Sequence, residues 1–117
     1  MRQPHAGGHA GTLSALAFQV LVALGEGAVH GYAIGKDVAA RTGGRLDPTT
    51  GTLYQVLRRL QEDGLITAVE APQPEVDARR KYFALTAAGR RAAAAEAARL
   101  SALVDAARQR RLFPGRT

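Results

Sequence analysis

Between Leu13 and Leu85 the sequence changes its period once: three apolar stripes of helical spacing give way to two short runs of strand character. Leu13, Leu16, Ala17, Val20, Leu21 and Leu24 recur every three or four residues, which predicts a helix over 12–24 with Thr12 as its cap and Gly25 and Gly27 at its close. A shorter helix is expected over 31–41, with Ile34 and Val38 one turn apart and Gly43-Gly44 beyond it. Asp47-Pro48 has the form of a cap followed by proline at the first helical position. The third helix is therefore expected over 48–63, with Leu53, Val56, Leu57 and Leu60 inward. After Gly64, "LITAVEA" (65–71) and "RRKYFAL" (79–85) are β-branched or aromatic, and the proline-containing "PQPEVDA" between them predicts a two-stranded hairpin. Thr86 then caps a last helix that ends before Pro114-Gly115.

Three compact helices, a hairpin and a long helix predict a mainly α chain with a small β-hairpin. This is a winged helix-turn-helix followed by a long C-terminal dimerisation helix. The expected divisions are a flexible N-terminal tail at 1–11, the winged DNA-binding unit at 12–86, the dimerisation helix at 87–113 and a tail at 114–117. In this arrangement the third helix enters the DNA major groove, and the hairpin, or wing, touches the flanking backbone.

The composition agrees with that partner and narrows the chemistry. The chain carries a formal net charge of +6, and 14 of its 16 basic residues are arginine, the side chain best shaped for bidentate phosphate and guanine contacts. With no cysteine, a disulfide framework, a thiolate metal site and a cysteine nucleophile are all excluded. His5 and His9 sit in the Gly-rich tail, far in sequence from His30, so no metal site is expected. No Ser-His-Asp set, pair of catalytic carboxylates or phosphate-cradling loop stands out; neither enzymatic activity nor a cofactor is expected. No apolar run approaches the roughly 20 residues of a membrane span. The N-terminus also lacks the apolar core of a signal peptide, which makes a cytoplasmic location the expectation and membrane partners none.

The third helix begins with Thr49, Thr50, Gly51 and Thr52, poor helix formers that leave room for a close approach. Its outer face carries Thr49, Thr52, Gln55, Arg59 and Glu62. Small residues let helix N-terminal amides meet a phosphate, Gln55 suits adenine, and Arg58 or Arg59 suits guanine or phosphate. On the wing, Arg79, Arg80 and Lys81 suit phosphate contacts, and Tyr82 either packs inward or adds a hydroxyl. Strand alternation puts Arg80 with Tyr82 on one face and Lys81 with Phe83 on the other. In "VHGY", Tyr32 and the backbone at Gly31 hold a phosphate, or else Gly31 allows close packing and Tyr32 fills the core.

"HGYAIGKDV", "GTLYQVLRRLQEDGLI" and "RRKYFALTAAG", in this order, resemble the PadR family of bacterial transcriptional regulators. The resemblance covers residues 13–91. It implies a dimeric winged-helix repressor that binds a double-stranded palindromic operator and is released by a small-molecule effector. By the same resemblance Tyr32, Thr52, Tyr54, Arg58, Arg59, Arg80, Lys81 and Tyr82 face DNA. The single helix after the wing is similar to the short subgroup whose terminal helix dimerises. "DPTTGTLY" is longer before its glycine than the usual pattern, so the start of the third helix stays open.

On the last helix Ala93, Ala97, Leu100, Leu103, Val104 and Ala107 form one stripe, and the first helix is apolar on nearly all sides. Together these predict a homodimer in which Leu13, Leu16 and Val20 meet the partner's last helix. The competing reading is a winged-helix protein-protein adaptor. An adaptor would more often present apolar or aromatic anchors where the third helix carries hydroxyl, amide and arginine groups.

Overall fold

The computed structural model describes residues 13–72 and 80–114. Its elements in chain order are α1 (Ala15–Ala23), β1 (Val29–His30), α2 (Gly31–Arg41), α3 (Thr50–Glu62), β2 (Ile66–Val69), β3 (Tyr82–Leu85) and α4 (Ala87–Gln109). The expected tail at 1–11, the wing tip and Arg79 lie outside the described residues.

Three of the four described helices start at hydroxyl caps. Ser14 caps α1, its side chain accepting from the Ala17 amide at 3.0 Å, so this helix starts later than the expected cap at Thr12, which lies outside the described residues. Thr49 caps α3 by accepting from the Thr52 amide at 3.2 Å. Asp47-Pro48 therefore precedes the helix instead of opening it. Proline is tolerated at either place, since both lack a required N–H partner, and the hydroxyl one turn before Thr52 decides between them.

Leu21, Leu24, Ile34, Val38, Leu57 and Leu65 are fully enclosed, and α1 packs against α2, α3 and α4. The breadth of apolar residues on α1 is thus largely consumed within its own chain. Leu13 and Val20, expected at a dimer contact, are buried in this core, and Leu16 packs against it half-exposed. A partner cannot reach Val20, which has no exposed surface, without opening the fold.

The sheet has three strands in the order β1-β3-β2, both pairs antiparallel, where a two-stranded hairpin was expected. Val29 pairs with Phe83 and His30 with Tyr82. With β3 in the centre, Tyr82 and Phe83 are both buried, against the simple alternation of an open hairpin. Phe83 enters the core, while Tyr82 meets the His30 ring edge-on at 5.4 Å.

The junction into α4 is tight. Thr86 donates its backbone N–H to the Leu65 carbonyl at 3.1 Å and its hydroxyl to the Gly64 carbonyl at 2.7 Å, while the same hydroxyl caps α4 through the Gly89 amide. Ala88, Ala92 and Ala93 then pack on the core. From Ala97 onward most of α4 is exposed, including Leu103 at 54% and Val104 at 39%. Glu96 is the exception: it is buried and bonded to Arg99 at 2.6 Å, which holds the Arg99 guanidinium above its ordinary pKa. Among the described residues no helix is long and apolar enough to cross a membrane, and no cluster of metal-ligating side chains occurs.

Candidate nucleic-acid interface

Because Leu53, Leu57 and Leu60 are buried, α3 turns Thr50, Thr52, Gln55, Arg58, Arg59 and Glu62 outward. The unusual helix start divides its labour. Thr49 holds the cap and donates its hydroxyl to that of Thr52 at 3.1 Å, so these two are tied to each other. Thr50 is exposed, and a Cβ added to Gly51 would meet nothing within 4 Å. The free approach that the sequence implied thus lies at residues 50 and 51, not at Thr49.

Further along α3 the two arginines separate. Arg59 pairs with Asp63 at 3.5 Å and lines a groove with Leu13 and Ser14 of the α1 end. Arg58 is exposed and makes no ion pair among the described residues. Tyr54 folds back over the start of α2: a Cβ on Gly31 would fall 2.2 Å from its hydroxyl oxygen. Gly31 therefore serves close packing, as the second reading of "VHGY" had it. Tyr32 does not fill the core as that same reading had it; it is exposed at 64% of its surface.

A second group of side chains forms around Tyr32 where β1 runs into α2. The Lys36 ammonium lies 5.6 Å and the Arg80 guanidinium 5.8 Å from the Tyr32 ring centroid. These distances suit cation-π attraction, with both charges at the surface. His30, which sequence reasoning left unassigned, joins the parts. Its Nδ1 accepts from the Ala33 amide at 3.1 Å as the cap of α2, and its ring stacks 6.4 Å from that of Tyr32. One Arg80 nitrogen lies 2.8 and 3.2 Å from the two His30 ring nitrogens, so the guanidinium rests against the ring face. Lys36 was missed as well, although its place one turn after Tyr32 is visible in the sequence. The signal for His30 was weaker: a polar residue just before Gly31 at a helix start, of a type seldom read as a cap. Lys81 is exposed beside Arg80, whereas Tyr82 is buried in the sheet and offers little to a ligand.

An outward helix with a short polar start and a basic cluster beside it on the sheet define the winged helix-turn-helix class of proteins. A match to the transcriptional regulator PadR-like family extends over residues 20–95, and the chain belongs to that family. A PadR family transcription regulator from Clostridium difficile shares the fold at a TM-score of 0.70 and 22% identity, covering 82% of this chain and 97% of that one. Bacillus subtilis PadR, solved in complex with operator DNA, is 25% identical at a TM-score of 0.55, covering 66% of this chain and 43% of its own. An uncharacterized 37.1 kDa protein in a transposon of Streptomyces fradiae is 41% identical over 88 residues, or 73% of this chain. The chain spans 24% of that relative's length.

Proposed function

We propose that this chain is a dimeric transcriptional repressor that reads a palindromic operator with α3 and is released by a small molecule. The observation that carries the DNA-reading part is the open start of α3: exposed Thr50, unobstructed Gly51, then Gln55 and Arg58, on a helix whose opposite side is anchored in the core. Tyr32, Lys36, Arg80 and Lys81 flank it as phosphate contacts. The operator complex of the 25% identical Bacillus subtilis PadR supports the same use of the fold. A gel shift with the DNA upstream of the protein's own gene tests this. The expected result is a salt-sensitive complex that a scrambled duplex does not compete away; equal affinity for both duplexes would defeat operator reading.

Two substitutions separate reading from holding. Gln55→Ala is expected to relax preference at one base pair by about 1 to 3 kcal/mol while other positions keep theirs. Unchanged affinity for every operator variant would remove Gln55 from the readers. Arg80→Ala is expected to weaken binding to all sequences alike and to lower the salt slope by about one unit, the signature of a lost phosphate contact. A changed base preference would instead make Arg80 a reader.

In this reading residues up to 86 are the reading head and α4 joins two of them. Its 23 residues span about 34 Å at 1.5 Å each, close to the roughly 34 Å between half-sites on one DNA face. The surface offered for pairing is Ala97, Leu100, Leu103, Val104 and Ala107 on α4, with Leu16 of α1 at its edge. An effector held where α4 meets α1 of the partner would change the spacing of the heads, which couples the ligand to DNA at a distance.

A further inference from the structure

We infer that the turn after α4 is a docking hook: Leu112 and Phe113 of one copy seat in the groove between α1 and α2 of a second copy. The inference rests on the reading of α4 as a dimer helix and adds to it a seat that this reading does not require.

The hook is a defined structure. The Leu112 amide donates to the Ala107 carbonyl at 2.8 Å and the Arg111 amide to the Arg108 carbonyl at 3.0 Å, the paired bonds of a Schellman turn. Glycine usually occupies the left-handed position of that turn, yet here it is Arg111, at a φ of 62°. The Arg108 guanidinium lies 4.1 Å from the Phe113 ring centroid and holds it beside the helix end. The outcome is a pair of apolar side chains, Leu112 exposed at 72% and Phe113 at 46%, displayed among Arg108, Arg110 and Arg111.

The groove has the complementary character. Val22, Ala23, Val29 and Ala33 form its floor, and Glu26 and Asp37 stand on its rim. Arg41, also on the rim, is engaged with Asp37 at 2.9 Å. Glu26 is exposed and makes no ion pair among the described residues, so it is the carboxylate left for the hook's arginines. Val22, exposed at 40%, is an apolar side chain that its own chain leaves uncovered.

Register brings the two together. The exposed α4 stripe from Ala97 to Ala107 is centred on Ala102, and a two-fold axis across the helix there makes the pair antiparallel. Leu112, ten residues after the centre, then lies level with the partner's Ala92, ten before it. On that level the Arg90 guanidinium donates to the Gly25 carbonyl at 3.2 Å, which puts the end of α1, with Val22, Ala23 and Glu26, next to the incoming turn. A parallel pair would crowd the arginines of both hooks at one point. The antiparallel pair keeps them apart and leaves Arg91 as a like charge that Glu26 offsets.

The chain has no cysteine, so thiol cross-linking starts from a silent background. A Val22→Cys chain and a Phe113→Cys chain, mixed and treated with a short bismaleimide, are expected to give a covalent dimer that neither gives alone. Leu100→Cys alone, two residues from the two-fold axis, is expected to cross-link as well. Phe113→Asp is expected to raise the dimer dissociation constant about tenfold in sedimentation, as for a central apolar anchor. If the Leu100→Cys chain cross-links and the mixture does not, the hook is wrong and the α4 dimer stands. If the chain sediments as a dimer and neither cross-link forms, the hook is again wrong and the dimer uses another face. A monomer that gives no cross-link overturns both.

Discussion

Gly89→Ala is expected to destabilise the fold by about 3 kcal/mol or more and to lower the melting temperature by roughly 10 °C or more. A Cβ at this position would sit 1.9 Å from the Leu65 carbonyl oxygen and 2.9 Å from its carbon. The obstacle is backbone, and it is held in place: the Leu65 carbonyl accepts from Thr86, the Leu65 amide donates to Leu60 at 2.9 Å, and the Leu65 side chain is fully buried. Relief requires α4 to lift from the turn after α3, which would break the Thr86 cap and loosen Ala88, Ala92 and Ala93 from the core. A chemical or thermal melt measures the effect directly. A variant as stable as the parent would show that this junction gives way easily.

The same junction shows what was legible in the sequence. Thr86 at the start of α4 could be read because a lone hydroxyl precedes an uninterrupted alanine-rich helix. The apolar stripes of α1, α2 and α3 were legible for a similar reason, since each buries one face and repeats along it. The start of α3 was harder. Asp47, Thr49 and Thr50 all qualify as caps, and only the reach of the Thr49 hydroxyl to the Thr52 amide selects among them. A two-residue strand such as β1 has no period to detect; it exists because β3 pairs with it. Tyr82 misled the alternation rule because the rule assumes one solvated face, and the His30 ring covers that side.

At the candidate site, chemistry was more legible than assignment. The exposed amide and arginine groups of α3 follow from helical geometry once its apolar side is known. Whether Tyr32 or Tyr54 was the packed aromatic did not follow, because both lie near Gly31 and only the angle between α2 and α3 brings Tyr54 onto it. The apolar breadth of α1 likewise signalled burial, but the cover expected for it was a partner's last helix. Its own α2, α3 and α4 supply much of that cover, and Val20 is left with no exposed surface for a partner.

Gly31→Ala is expected to do the opposite of Gly89→Ala: it should leave stability within about 1 kcal/mol of the parent and weaken operator binding on the order of 100-fold. The added Cβ would fall 2.2 Å from the Tyr54 hydroxyl oxygen and 2.8 Å from two of its ring carbons. These are atoms of a flexible side chain, and Tyr54 is 36% exposed, so the ring can swing out with little loss of core packing. It swings toward the solvent side of α3, where Gly51 lies one turn before it and Arg58 one turn after. The ring would then fill the space that Gly51 leaves open, at the surface proposed to meet the bases. Affinity should fall for every sequence, since the displaced ring blocks approach without replacing a reader. A melting curve beside a gel shift separates the outcomes. Undiminished binding would show that Tyr54 finds another place or that the start of α3 does not approach DNA, whereas a large loss of stability would make Gly31 a core position first.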